Sequence, residues 1–177
     1  FIGSTLAHTL VEQGHEVHGI DNLSTGNLAN LADIRSNISF QQMDLQDAAG
    51  MKSACEGIDY VLHQGALASV PRSVKDPLSS HESNINGTLN LLIAARDARV
   101  RRIVYAASSS AYGDQPTQPK QEDMLPLPLS PYAVQKLTCE YYIQSFYRAY
   151  GLEGVCLRYF NIFGPRQAAD SPYSGVI

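Results

Sequence analysis

Two kinds of hydrophobic pattern alternate along the chain. Short apolar runs bounded by Gly, Asn, Asp or Ser are typical of buried β-strands, and they lie at residues 16–20, 38–40, 60–62, 102–106 and 155–159. Helix-compatible stretches separate these runs and predict helices at residues 4–13, 48–56, 78–98 and 132–150. Strands that alternate with helices predict an α/β fold whose sheet is mostly parallel. Residues 115–131 hold five of the nine prolines and predict a long surface loop.

Composition narrows the class of protein. The 177 residues are 44% hydrophobic and 17% charged, which is enough apolar material for the core of one globular domain. The net charge of -4 argues against nucleic acid and anionic membrane surfaces as partners. No apolar run approaches the roughly 18 residues of a membrane helix. Cys55, Cys139 and Cys156 lack the spacing of a disulfide framework or a zinc site, so we expect no metal and a cytoplasmic location.

Residues 1–21 carry the first chemical signal. Gly3 opens a predicted helix, a predicted strand follows, and Asp21 comes eighteen residues after Gly3. In a dinucleotide-binding fold, a glycine at a helix N-terminus faces the pyrophosphate, and an acid after the second strand accepts hydrogen bonds from the adenosine ribose. The spacing fits this arrangement, and it fits ordinary turn residues equally well.

Tyr132 and Lys136 form the second signal. They are four residues apart in a predicted helix and therefore share one face. A lysine ammonium near a phenol favours the phenolate, which can act as a base toward a sugar or alcohol hydroxyl. The chain has 10 tyrosines, so an exposed helix pair with this spacing can also arise by chance.

Three consecutive serines at residues 108–110 favour the functional interpretation. They follow the predicted strand 102–106. Ligands of open α/β sheets bind at the carboxyl ends of the strands, so a serine there can hydrogen-bond a substrate hydroxyl. A turn that caps backbone groups remains an alternative for Ser109 and Ser110.

Taken in order, these segments resemble the extended short-chain dehydrogenase/reductase family, and within it the NAD-dependent nucleotide-sugar epimerases and dehydratases. The matching segments are residues 1–4 (FIGS), 21–26 (DNLSTG), 44–45 (DL), 63–66 (HQGA), 84–88 (NINGT), 108–113 (SSSAYG), 130–136 (SPYAVQK) and 157–161 (LRYFN). The resemblance implies a doubly wound, mostly parallel Rossmann-type sheet that lacks its first strand and most of the C-terminal substrate domain. Residues 1–160 would form an incomplete NAD-binding Rossmann domain, and residues 161–177 would begin the substrate-binding segment.

The resemblance also implies roles for single residues. Tyr132 matches the catalytic base, Lys136 matches its partner, which also binds the nicotinamide ribose, and Ser108 matches the residue that hydrogen-bonds the 4-hydroxyl of the sugar. Asp21 would hold the adenosine ribose, and its charge would repel a 2'-phosphate, so the expected cofactor is NAD rather than NADP. The other residues expected at the cofactor are Phe1, Ile2, Gly3, Asn22, Ser24, Gly26, Asp44, Leu45, Gln64, Gly65, Ala66 and Tyr159.

A nucleotide sugar, UDP-linked, is the substrate that the resemblance implies. The residues expected to bind it are Ser69, Arg72, Ser73, Asn84, Ser109, Ser110 and Asn161. For Asn84, a structural hydrogen bond from helix to loop is an equally good interpretation. Residues 68–77 resemble the bacterial 4-epimerases of UDP-N-acetylhexosamines and their uronic acids. Ser109 and Ser110 stand where the dehydratases carry Asp and Glu, which disfavours elimination of water.

We therefore expect a nucleotide-sugar 4-epimerase that oxidises the sugar transiently at C4. The alternatives are a UDP-glucuronate decarboxylase or a reductase of the same family, or a non-catalytic nucleotide-binding relative. The intact parent protein is expected to be a homodimer, and the 177-residue chain by itself is expected to be inactive because it lacks the segments that hold the cofactor.

Overall fold

The computed structural model describes residues 1–168. These residues form two compact units, one made of Phe1–Asp44 with the described residues from Asn161 onward, and one made of Leu45–Phe160. The proposed division between residues 1–160 and 161–177 stays a prediction, and residues 169–177 lie outside the described part of the chain.

The first unit contains one helix and two paired strands. Its elements are α1 (Ile2–Glu12), β1 (Val17–Asp21), a 3-10 helix (Leu28–Asn37) and β2 (Ile38–Gln42). The strands pair in parallel, with Val17 opposite Ile38 and Asp21 opposite Gln42. Val17, Ile34 and Ile38 form a small buried core against which the apolar face of α1 packs. This register places Asp21 at the carboxyl end of its strand.

The second unit contains a parallel sheet in the order β3-β4-β5. Its strands are β3 (Tyr60–His63), β4 (Arg102–Ser108) and β5 (Glu153–Tyr159). Its helices are α2 (Ala48–Ala54), α3 (Val70–Lys75), α4 (Pro77–His81), α5 (Gly87–Asp97) and α6 (Pro131–Tyr150), with a π-helical turn (Glu82–Asn86) between α4 and α5 and a 3-10 turn (Ser109–Tyr112) after β4. α6 packs against β4, β5 and this 3-10 turn.

Sequence-local signals explain where α6 begins and ends. Ser130 caps its N-terminus by accepting a hydrogen bond from the Ala133 N–H, and Pro131 occupies the first turn, where its missing N–H costs nothing. Gly151 ends the helix in the left-handed conformation, at φ 75°. These residues place the first turn of α6 beside the elements that follow β4.

A second glycine shapes the turn after β4. Gly113 has φ 64° and ψ -154°, a backbone conformation open almost solely to glycine. A Cβ built on Gly113 would overlap the carbonyl oxygen of Leu127. The Leu127 N–H also donates to the Ala111 carbonyl at 3.0 Å, so the proline-rich loop lies directly against the serine turn.

The five predicted strands and the parallel α/β class are confirmed. All three strand pairings, one in the β1-β2 sheet and two in the β3-β4-β5 sheet, are parallel. The single helix predicted at residues 78–98 is wrong in detail, because the π-helical turn divides it. The helices at Leu28–Asn37 and Val70–Lys75 were not predicted. No helix in the described part of the chain combines the length and apolar character needed to cross a bilayer.

Candidate active site

Tyr132 and Lys136 lie on the same side of the first turns of α6. The Lys136 Nζ is 6.0 Å from the centroid of the Tyr132 ring. Lys136 is 3% exposed, whereas Tyr132 is half-buried and thus open on one side. The prediction that the helix brings this pair together is confirmed, and the interpretation as an exposed surface pair is wrong for the lysine.

The ammonium of Lys136 lies in a low-dielectric site. Desolvation by burial lowers the pKa of Lys136 to about 8. Its nearest aromatic neighbour is Tyr105 of β4, with 4.5 Å between Nζ and the ring centroid. Among the ion pairs of residues 1–168, none involves Lys136, because the Glu140 carboxylate one turn further along α6 is paired with Arg158 at 2.9 Å. The lysine therefore loses its proton more readily than an exposed lysine does.

Ser108 is the last residue of β4, opposite Tyr159 at the end of β5. Its hydroxyl oxygen accepts hydrogen bonds from the Ser110 N–H at 3.2 Å and from the Ser110 hydroxyl at 2.8 Å. Both bonds use Ser108 as the acceptor, so its own O–H stays able to donate elsewhere. The residue that caps the serine turn is therefore Ser108, and the Ser110 hydroxyl bonds the Ser108 side chain rather than a backbone group.

Asn84 lies fully buried in the π-helical turn. Its Oδ1 accepts a hydrogen bond from the Leu67 N–H at 2.7 Å, and its Nδ2 donates to Gln135 Oε1 at 2.8 Å. Both ends of the amide are therefore used inside the protein. This geometry supports the structural interpretation of Asn84, in which it ties the loop after β3 to α6.

The three predicted substrate residues of α3 lie in different environments. Ser69 caps the helix by accepting from the Arg72 N–H at 3.2 Å, and the Arg72 side chain is exposed. Ser73 is fully buried, and its hydroxyl donates to the Val70 carbonyl at 2.8 Å while it accepts from the Tyr132 N–H at 3.1 Å. Ser73 therefore acts on the backbone of α6, where it satisfies a donor of the first turn.

We expect the substitution Ser73→Ala to destabilise the protein by about 1 kcal/mol, the usual cost of losing a helix-capping acceptor. The Tyr132 N–H and the Val70 carbonyl would both lose their partner in a buried place. Urea unfolding measures the change. Ser145→Ala is the matched control, because the Ser145 hydroxyl also donates to a backbone carbonyl but is exposed. Equal stability of the two variants would contradict the capping role.

In the first unit, a short loop closes around the Asp21 carboxylate. Asp21 Oδ1 accepts from the Leu23 N–H at 2.7 Å, and a Cβ on Gly26 would lie 2.9 Å from Asp21 Oδ2. Asn22 Nδ2 donates to Asp44 Oδ2 at 2.6 Å, which joins the ends of the two strands. Asp21 itself is exposed, so its remaining acceptor sites face solvent. A side chain at position 26 would therefore push the Asp21 carboxylate aside.

The other predicted cofactor residues are placed as follows. Phe1, Ile2 and Gly3 form the start of α1, which begins two residues earlier than predicted, and a Cβ on Gly3 would meet nothing within 4 Å. Ser24 is exposed, and its backbone N–H donates to Asn22 Oδ1 at 3.0 Å. In the second unit, a Cβ on Gly65 would lie 3.1 Å from Leu45 Cδ1. Ala66 is half-buried, and Gln64 directly follows β3. Asn161 is exposed and belongs to the first unit.

These groups fit the polar groups of a dinucleotide. The exposed Asp21 carboxylate can accept from ribose hydroxyls, and the Lys136 ammonium can donate. The Gln64 Oε1 is buried and has no hydrogen-bond partner in the described residues. A buried acceptor without a donor is costly unless a bound hydroxyl or amide supplies one. Each unit by itself therefore offers polar groups that suit a dinucleotide, an acceptor at Asp21 in the first unit and a donor at Lys136 with an acceptor at Gln64 in the second.

The fold consists of parallel β-α units, with a serine at the end of one strand and a tyrosine and a buried lysine on one helix. This arrangement is typical of a Rossmann-type α/β protein with acid-base groups. The chain belongs to the NAD dependent epimerase/dehydratase family, whose family model matches residues 1–177. The resemblance drawn from the motifs is thereby confirmed.

Three relatives illustrate this similarity. The UDP-glucose 4-epimerase of Mycolicibacterium smegmatis is 39% identical over 172 residues, which are 94% of this chain and 55% of that protein. The solved structure of UDP-N-acetylglucosamine 4-epimerase from Methanobrevibacter ruminantium M1 in complex with UDP-N-acetylmuramic acid is 44% identical, with a TM-score of 0.94 over 99% of this chain and 56% of that one. The Thermus thermophilus UDP-glucose 4-epimerase complex with NAD is 38% identical, with a TM-score of 0.91 over 98% and 56%. The chain therefore spans about half the length of the curated relatives it matches.

Proposed function

We propose that the protein carrying this chain is an NAD-dependent nucleotide-sugar 4-epimerase that acts on UDP-linked sugars. The observation that carries the proposal is the arrangement of the second unit, in which Ser108 ends β4 while Tyr132 and the buried Lys136 occupy the first turns of α6. The similarity to solved 4-epimerases supports the reaction class.

In this proposal, Tyr132 removes the proton of the sugar 4-hydroxyl. Ser108 hydrogen-bonds that oxygen, and the Lys136 ammonium stabilises the Tyr132 phenolate. When bound, NAD supplies a reversible acceptor for the C4 hydride, which returns to the opposite face of the 4-keto sugar. Tyr132 then gives the proton back, so the protein ends each cycle in its starting protonation state.

Polar groups of each unit, taken separately, are proposed to contact the cofactor. Asp21 would accept from the adenosine ribose, and Asn22, Gly26 and Asp44 support the loop that surrounds its carboxylate. Lys136 would donate to the nicotinamide ribose. The remaining cofactor contacts are proposed for Phe1, Ile2, Gly3, Ser24, Leu45, Gln64, Gly65, Ala66 and Tyr159.

The residues proposed for the substrate lie in the serine turn, in α3 and after β5. Ser109 and Ser110 stand in place of the acids that dehydratases use, which favours epimerisation over loss of water. Arg72 and Asn161 are exposed and therefore free to contact the nucleotide diphosphate. The homodimer is supported by Val134 and Tyr141, which lie seven residues apart on one face of α6 and are 47% and 55% exposed. The cytoplasmic location stays a prediction.

A product assay tests the function directly. The intact protein that carries this chain is incubated with NAD and, in separate reactions, with UDP-glucose or UDP-N-acetylglucosamine, and the sugars are resolved by chromatography and NMR. The 4-epimer of the supplied sugar is the expected product, with no net formation of NADH. Supplied with UDP-glucuronate, a decarboxylase would instead release carbon dioxide and a pentose, and a reductase would consume reduced cofactor.

Cofactor choice gives a prediction of its own. NAD is expected to bind more tightly than NADP, because the Asp21 carboxylate repels a 2'-phosphate. Asp21→Asn should narrow this difference, since the amide keeps an acceptor for the Leu23 N–H but loses the charge. Isothermal titration calorimetry with both cofactors measures the two affinities. Asp33→Asn, on an exposed acid of the same unit, is the control. Equal affinities in the unsubstituted protein would show that Asp21 does not meet the ribose.

A further inference from the structure

Tyr105 lies directly beside the lysine of the proposed active site. It is in the middle of β4, three residues before Ser108, and is 1% exposed. The Lys136 Nζ is 4.5 Å from the centroid of its ring, which is closer than the 6.0 Å to the Tyr132 ring. An ammonium within about 6 Å of an aromatic ring face is attracted by the ring quadrupole, and more strongly where water is excluded.

The Glu140 carboxylate raises the pKa of Lys136, but it is already paired, and the other groups around the ammonium are neutral. On α6, Glu140 is bound by Arg158, and burial raises the pKa of Cys139, so that thiol is neutral. On β5, burial raises the pKa of Cys156 to about 12. On β3, burial lowers the pKa of His63 to about 3, so the imidazole is also neutral.

Tyr105 itself remains neutral, because burial raises the pKa of its phenol well above the ordinary range. The other side chain close to the ammonium is Tyr132, whose ring lies farther away than that of Tyr105. The Tyr105 ring is therefore the nearer of the two aromatic faces at a desolvated ammonium whose neighbouring carboxylate, Glu140, is already bound by Arg158.

We propose that Tyr105 is a positioning residue of the active site, whose ring face keeps the Lys136 ammonium charged and in place beside Tyr132. The inference deepens the proposed function and rests on it for the role of Lys136. Tyr105 touches neither substrate nor cofactor in this proposal and acts through the lysine alone. The prediction from sequence did not include Tyr105, since it reads there as an ordinary strand residue.

Fluorinated side chains test the ring face while the shape is kept. Position 105 is filled in turn with phenylalanine, 3,5-difluorophenylalanine and 3,4,5-trifluorophenylalanine, because each fluorine weakens the quadrupole without removing the ring. The pKa of Lys136 is measured by NMR on lysine labelled with 15N at Nζ. We expect this pKa to fall stepwise along the series, by about 0.5 to 1 unit in all, which is a roughly 3- to 10-fold loss of proton affinity.

Turnover of a UDP-sugar is measured on the same proteins across pH. The alkaline decline in kcat should move to lower pH along the series, while KM for the sugar stays constant, since Tyr105 does not contact it. A side chain that merely fills space would leave both the Lys136 pKa and the kcat profile unchanged through the series, and that result would overturn the inference. If Tyr105→Phe lowers the Lys136 pKa as far as the trifluoro variant does, the ring face is not the cause and the inference is also overturned.

The two readouts separate this inference from the proposed function. A protein that epimerises no UDP-sugar contradicts the proposed function, and the NMR titration still decides whether the Tyr105 ring holds the Lys136 charge. A protein that epimerises UDP-sugars while the fluorinated series leaves the Lys136 pKa constant retains the proposed function and loses the role of Tyr105.

Discussion

Turnover of UDP-sugars by a Tyr132→Phe variant is expected to fall by at least about 10²-fold, the usual loss when a positioned proton-transfer group is removed. Phenylalanine lacks the hydroxyl that takes the proton from the sugar but keeps the ring in the first turn of α6. The backbone of that turn stays capped, because Ser73 accepts from the N–H of residue 132 and Ser130 accepts from Ala133. We therefore expect the fold and NAD affinity to be retained.

The Tyr132→Phe experiment combines initial rates with two controls. Thermal unfolding and NAD calorimetry show whether the variant is folded and binds cofactor. Tyr147→Phe is the matched substitution, since Tyr147 lies on the same helix and is 59% exposed. Epimerisation by Tyr132→Phe at a rate close to that of Tyr147→Phe would remove Tyr132 from the mechanism and with it the proposed role of Ser108.

The substitution Lys136→Met should have an effect of similar size on turnover, a loss of about 10²-fold or more. Methionine fills much of the same space but carries no charge, so the Tyr132 phenolate would lose its stabilising cation and the nicotinamide ribose would lose a donor. Initial rates with saturating NAD measure the loss of kcat. Lys52→Met, on an exposed lysine of α2, is the control for the loss of a positive charge.

The Lys136→Met variant also tests how the free energy of unfolding depends on pH. The pKa of Lys136 is about 8 in the folded protein, against an ordinary value of 10.5. Between these two values the unfolded chain binds the proton and the folded protein does not, so the free energy of unfolding should rise as the pH increases from 8 to 10.5. Below pH 8 both states hold the proton, and the folded state bears the full cost of a buried charge.

Urea unfolding at several pH values measures this effect as the difference between the unsubstituted protein and Lys136→Met. The difference isolates Lys136 from the tyrosines and cysteines that titrate in the same range. We expect Lys136→Met to be the more stable protein near neutral pH and the difference to shrink toward pH 10.5. A difference that stays constant across this range would show that the lysine is not desolvated in the folded protein.

Much of the site could be predicted because its spacing lies within single elements. Tyr132 and Lys136 are four residues apart, so one helix is sufficient to place them on one face. Ser108 and Asp21 each end a strand, and their position follows from the length of the apolar run before them. Ser130, Pro131 and Gly151 likewise set the ends of α6 through local backbone preferences.

The helix predicted at residues 78–98 is wrong in detail because its division depends on contacts with other elements. The helical spacing of apolar residues is continuous over residues 78–98, and this spacing does not indicate the π-helical turn that divides the helix. Asn84 lies in this turn and bonds Leu67, 17 residues earlier, and Gln135, 51 residues later. Contacts of this kind are formed with other elements, so they do not appear in the periodicity of the segment itself.

The sequence by itself determined the parallel α/β class, the strands, the start of α6 and the set Ser108, Tyr132 and Lys136, because these follow from hydrophobic period, capping and residue spacing over a few positions. Tertiary structure decided what those groups touch. Ser73 lies 59 residues before Tyr132 and caps its helix, and the Tyr105 ring lies against an ammonium from another element. The burial that lowers the pKa of Lys136 exists only after β3, β4, β5 and α6 have packed and excluded water, and no local pattern along the chain encodes that exclusion.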